Sequence, residues 1–299
     1  MNSVLLIFLI TVLPVHNLSA QTNDSINRKR LTGVILTEST LFAGTMFGLY
    51  QLWYKDYPQS NFHFINDWNG WMQMDKIGHA VTSYYVGKIG FETLRWCGVS
   101  EKHSVIYGGS LGFIYLLTIE SLDGFSAEWG ASPSDLVFNA GGAALFIGQQ
   151  LAWKKQRITL KFSYHYTKYP DYRPDLFGYD LLQQLVKDYN GHTYWLSTNI
   201  KSFSKRDSWV PDWLNLAVGY GADGMLGAAS NPDEYNGRPL PHFDRYRRFF
   251  LSLDVDFSRI KTNSNFLKII FSALGFIKVP FPTLEYNSLG QVKFHPLYF

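Results

Sequence analysis

Three clusters of polar residues stand inside apolar stretches of this chain, and their types and spacing could do chemistry. The first runs Asp75-Lys76-Ile77-Gly78-His79. The second is Glu120-Ser121-Leu122-Asp123, closed by Gly124. The third runs from Ser132-Pro133-Ser134-Asp135 to Asn139 and Gly142. Asp75 and His79 lie four residues apart, as do Asp135 and Asn139, and Glu120 and Asp123 lie three apart, so on helices each pair shares a face. A carboxylate beside a histidine can orient it and raise its pKa, or both can ligate a metal. Brought together, Asp75, His79, Glu120, Asp123, Asp135 and Asn139 suit a hard divalent cation better than a structural zinc. They also suit an acid/base pair for hydrolysis. The competing reading is a polar network that fixes helix packing, since buried acids are costly unless paired. Asp135 has a plain local reason too: Ser132 as N-cap, Pro133 at the first position and an acid in the first turn are a helix start.

The elements that carry these residues are apolar and long. Residues 33–53, 75–96, 103–122 and 133–153 read as helices, each near the roughly 20 residues that cross a hydrocarbon core. Glycines and alanines are frequent in them, which suits close packing in lipid; a water-soluble four-helix bundle is the alternative. Lys76 reads as a pairing or snorkelling residue. Near residue 157 the period changes from 3.6 to 2. Ile158, Leu160, Phe162 and Tyr164 alternate with polar neighbours, as do Phe249, Leu251, Leu253 and Val255. Five or six such strands are legible, short of the eight of a small barrel, although the aromatic C-terminus Leu297-Tyr298-Phe299 resembles that of bacterial outer-membrane barrels. The reading is a curved sheet whose apolar face packs on helices or on a membrane. Asp254 and Asp256 then fall on a solvated face. His192, His242 and His295, without spaced partners, read as surface or interface residues. Residues 174–190 hold a short amphipathic helix, and 230–239 an exposed loop. Gly219-Tyr220-Gly221-Ala222-Asp223-Gly224 reads as a strand turn rather than a phosphate loop, because no helix pattern follows it.

The expected architecture is therefore α+β, an N-terminal bundle of about four membrane-embedded helices followed by an antiparallel β region. Its parts are a signal peptide at 1–20, a leader at 21–32, a helical domain at 33–157 and a β-rich region at 158–299. The apolar run Val4–Leu13 followed by Asn17-Leu18-Ser19-Ala20 resembles a secretory signal, without a positive n-region. Among 299 residues 17% are charged and 17% aromatic, a balance suited to a membrane interface. A net charge of +3 without a long basic run gives a nucleic-acid partner no electrostatic support. Cys97 alone cannot form an internal disulfide and reads as a small core residue. With a cleaved signal and four inner-membrane spans, Arg28-Lys29-Arg30 and Lys154-Lys155-Gln156-Arg157 would face outward, against the positive-inside rule; an uncleaved first segment or an outer-membrane setting removes the conflict.

Asp-Lys-x-x-His at 75–79, the acidic helix end at 120–123 and Ser-x-Ser-Asp-x-x-x-Asn-x-x-Gly at 132–142 resemble the YfiM-type family of predicted periplasmic lipoproteins, of unassigned activity. More distantly they are similar to VanZ-like membrane proteins. The chain departs from the lipoprotein pattern by lacking an anchoring cysteine and by adding 158–299. The resemblance implies an exported envelope protein, at the outer membrane or periplasm rather than the inner membrane. The function expected is a membrane-associated component that binds lipid or an envelope protein partner. The alternative is a metal-assisted hydrolase of a lipid or cell-wall substrate.

Overall fold

A computed structural model describes residues 25–55, 57–205 and 207–299. The signal-peptide segment 1–20 lies outside them. The fold is α+β, with helices first and an antiparallel sheet after. The chain divides into two compact units. Within the described residues one comprises 25–68 and Lys76–Gln156, and the other Asn69–Asp75 and Arg157–Phe299.

Among the described residues the first unit is built on four helices: α1 (Arg28–Leu49), α2 (Met74–Trp96, whose first two residues belong to the other unit), α3 (Glu101–Asp123) and α4 (Pro133–Trp153). Helix α1 starts inside the expected leader, because the Asn27 side chain accepts from the Arg30 N–H and caps it. Helix α3 contains a π-helical stretch at Ser104–Gly108. Helix α4 starts as its sequence foretells: Ser132 accepts from the Asp135 N–H, and Pro133 sits where no N–H is needed. Val81, Tyr84, Tyr115, Leu116, Ile119 and Phe146 form its buried core, with Cys97 buried as well. The helices approach closely at several glycines, Gly112 and Gly142 most tightly. A Cβ at Gly112 would overlap the Ser83 carbonyl oxygen, and one at Gly142 the Ala80 carbonyl oxygen. Among the described helices α3 alone is long and apolar enough to cross a membrane by length and composition, and 44% of its apolar window is buried inside the protein.

The second unit is built on strands β1 (Ile158–Tyr164), β2 (His192–Asn199), β3 (Leu214–Asp223), β6 (Tyr246–Val255), β7 (Phe281–Asn287) and β8 (Val292–Tyr298). They pair in that order as one antiparallel six-stranded sheet. Of the stretch Gly219 to Gly224, expected as a strand turn, all but Gly224 is the end of β3 itself. A short exposed hairpin, β4 (Glu234–Tyr235) with β5 (Arg238–Pro239), lies in the expected loop. Short helices α5 (Pro174–Phe177) and α6 (Leu181–Lys187) fill the connection after β1, and α7 (Asn265–Ala273) the one after β6. Before α2, the consecutive residues Trp71, Met72 and Gln73 all adopt left-handed conformations, which side chains rarely do. Partners of the same unit hold them there: Trp71 N–H donates to Ala228, Tyr220 to the Met72 carbonyl and Arg247 to Gln73.

The alternation shows in the burial of β3, β6 and β7, and there the polar face is not solvated as expected. The face turned inward is the polar one. Asp254, expected in solvent, is fully buried, ion-paired to Lys161 at 2.7 Å and accepting from Ser197 at 2.6 Å. Asp256 is buried too and caps the turn after β6. Arg248 holds Glu285 through two N–H donors at 3.0 and 2.9 Å, and His295 meets the same carboxylate at 2.7 Å. Trp195, Ala217, Phe250 and Tyr298 are the apolar centre of this inward face. His192, expected at a surface, is buried with Nε2 on the Leu185 carbonyl, because α6 covers it; His242 is exposed.

Candidate functional site: a buried ion-pair network in the helical unit

Lys76, in the first turn of α2, is the centre of the network. Its Nζ lies 2.5 Å from Asp67 Oδ2 and 3.1 Å from Asp135 Oδ1. Lys76 is 1% exposed and Asp135 fully buried. Asp67 stands in the loop before α2, and its other oxygen accepts from the hydroxyls of Ser132 at 2.6 Å and Ser134 at 2.8 Å. Burial would raise the Asp67 pKa, but Lys76 and the two hydroxyls outweigh it and hold the carboxyl below its ordinary range.

One turn further along α2, His79 Nδ1 lies 3.0 Å from Asn139 Oδ1 and 3.9 Å from Glu120 Oε1. Ser83, the next residue on that stripe, donates to the Asn139 carbonyl at 2.7 Å. Glu120 Oε2 accepts from the Ser132 N–H at 2.9 Å, while its Oε1 has no hydrogen-bond partner among the described residues; nor has Asn139 Nδ2. Asp123, at the end of α3, accepts from the Tyr54 hydroxyl at 2.5 Å. Burial and the adjacent carboxylate raise the pKa of that hydroxyl. Asp75 offers a carboxylate oxygen that, with ligand atoms of His79 and Asp135, forms a set lying within 4.8 Å of one another. That group could hold a metal ion.

All six residues named from the sequence are therefore buried, and five of them, Asp75, His79, Glu120, Asp135 and Asn139, converge. Asp123 engages Tyr54 at the edge of the set. Asp67, Ser132, Ser134 and Tyr54 complete the network; Ser132 and Ser134 belong to the third polar cluster of the sequence, whereas Asp67 and Tyr54 lie outside all three. Asp67 stands alone in a polar loop with no spaced partner, and Ser132 has a sufficient local role as an N-cap, so neither carried a signal.

The chemistry is limited by what already occupies it. The Lys76 ammonium neutralises Asp135 and competes with any cation there. Burial, aided by the nearby Asp135, pushes the Glu120 carboxyl up to about 8 against the opposing effect of His79. The fold thus prefers neutral Glu120. The stability this contributes is fully present below the ordinary carboxylate pKa of 4.5 and is lost as pH rises through about 8. The melting temperature is expected to fall between about pH 5 and pH 9, and to fall less in Glu120→Gln. Parallel melting profiles for the two proteins would refute this.

No family model, no curated protein and no solved structure matches the chain.

Proposed function

We propose that this protein is a structural, lipid-associated component of a bacterial cell envelope, exported to the periplasm or outer membrane. Its polar network is a packing device rather than a catalytic centre. The observation that carries this reading is the placement of Lys76 between Asp67 and Asp135, which neutralises the acids of the network from within. Burial of Asp75, His79, Glu120, Asp123, Asp135 and Asn139 supports it, because a catalytic site must admit a substrate. The low charged fraction and aromatic excess support lipid as partner, as does the resemblance to YfiM-type and VanZ-like envelope proteins.

A second reading has its own observation, the ligand-atom cluster of Asp75, His79 and Asp135 with the Glu120 oxygen that accepts no hydrogen bond beside it. Those oxygens and one imidazole suit a hard divalent cation, and such a site would serve metal-assisted hydrolysis of a lipid or cell-wall substrate. Metal content by mass spectrometry decides between them. Purified wild type with less than stoichiometric metal, and unchanged melting in a chelator, is the result expected of the packing device. One equivalent of metal, lost in a still-folded His79→Ala variant, would replace it by the metal reading.

A further inference from the structure

On β3, β6 and β7 the charged and hydrogen-bonding side chains are turned inward and leucine and valine side chains outward, whereas on β1 and β2 the outward positions Phe162, His192 and Tyr194 are buried. On β3 and β6, Leu216, Val218, Leu251 and Leu253 are 39–53% exposed, and on β7 and β8 Leu284 and Phe294 are 46% and 67% exposed. Register makes these one surface: Val218 faces Leu251, Leu216 faces Leu253, Leu251 faces Leu284 and Leu284 faces Phe294. Their alternation partners are the buried Asn215, Ala217, Ser252, Asp254, Thr283 and Glu285. A sheet of a water-soluble protein does the opposite, hiding the apolar face and solvating the other. The charge distribution is equally one-sided. Lys161, Asp223, Arg248, Asp254 and Glu285 all point inward, and the outward positions carry one fixed charge, Arg247, at the start of β6 and tied to Gln73.

We infer that this outward face is a lipid-facing surface, seated in the hydrocarbon of a bilayer. It rests on the reading of lipid as the partner and narrows that reading to one surface. A face whose one fixed charge, Arg247, stands at its end and is tied to Gln73 complements hydrocarbon, whereas a protein-binding patch of this kind is rimmed by polar groups. The dimensions agree. Strands β3 and β6 have ten residues each, so the apolar band is as long as a hydrocarbon core is thick; the sheet keeps two edges, so the face lies against the hydrocarbon rather than crossing it. Aromatic side chains stand where headgroups would lie: Trp213 just before β3 is 38% exposed, and Tyr286 near the opposite end of the band is 50% exposed. The buried Lys161–Asp254 and Arg248–Glu285 pairs give the inward face its cohesion, as the polar interior of a membrane sheet requires.

Spin labels test this on the full chain. Val218→Cys and Leu251→Cys place a label on the outward face, Ser252→Cys on the inward one, and the native Cys97 is buried and serves as the unlabelled background. The labelled proteins are reconstituted with phosphatidylcholine–phosphatidylglycerol vesicles and floated. Relaxation by oxygen, which concentrates in hydrocarbon, is compared with relaxation by a water-soluble nickel chelate. The expected result is co-flotation, with an oxygen-to-nickel ratio several-fold higher at 218 and 251 than at 252. Co-flotation with strong nickel relaxation at 218 and 251 would overturn the inference and leave lipid association standing. Absence of flotation would overturn both. Labels shielded from both agents, in a particle of doubled mass, would assign the face to a second copy of this chain.

Discussion

Replacing Lys76 by methionine is expected to lower the stability of the protein by about 3–5 kcal/mol, the cost of breaking a buried ion pair by removing one partner. The ammonium is 1% exposed and lies within 3.1 Å of two carboxylates, one of them fully buried. Without it, Asp135 keeps its burial and loses its cation. Asp67, which is 26% exposed, recovers some hydration. A second change, Asp135→Asn, removes the charge that Lys76→Met strands, so the double variant is expected to be more stable than Lys76→Met alone. That non-additivity, read by chemical denaturation, separates an ion pair from mere loss of packing. The half-exposed pair of Lys88 and Glu92, 3.9 Å apart on α2, is the control; Lys88→Met is expected to cost less than about 1 kcal/mol. A Lys76→Met protein within 1 kcal/mol of wild type, as little as an exposed pair costs, would remove the network from its structural role.

Gly142→Val is expected to cost about 3 kcal/mol, at the upper end of overpacking penalties. A Cβ there meets the Ala80 backbone carbonyl, which cannot rotate away as a side chain could. The helices must separate, and the contacts that converge near Asn139 and Ser83 loosen with them. The adjacent Gly141 supplies the contrast. Nothing lies within 4 Å of a Cβ at that position, so Gly141→Ala is expected to be neutral or to stabilise by up to about 1 kcal/mol through helix propensity. Thermal unfolding of the two variants side by side checks this. Equal effects would mean that α2 and α4 do not meet at Gly142.

The two glycines are identical neighbours in the sequence, and only the position of α2 distinguishes them. The same holds across the site. The spacing of Asp75 with His79 and of Asp135 with Asn139 placed each pair on a helical face, and those faces do meet. The spacing said nothing of Asp67, whose partners Lys76, Ser132 and Ser134 come from two different helix starts. Nor did it decide between a network and a metal centre, because the same acids serve both. That choice turns on where the Lys76 ammonium lies, a tertiary fact. Asp254 was misjudged for a related reason. Its polarity implied solvent, and no local feature disclosed that Lys161, distant in the chain, would be buried against it.

By itself the sequence determined the α+β order of elements, the start of α4 at Ser132-Pro133, the strand period after residue 157 and the six polar residues of the site. Each of these follows from interactions among near neighbours: capping, helical spacing and alternation. Only the tertiary structure decided which face of the sheet is the inside. Alternation with period two defines two faces and is symmetric between them. The rule that apolar faces are buried breaks that symmetry the wrong way here, because ion pairs between β1 and β6 and between β6 and β7 close the polar face instead.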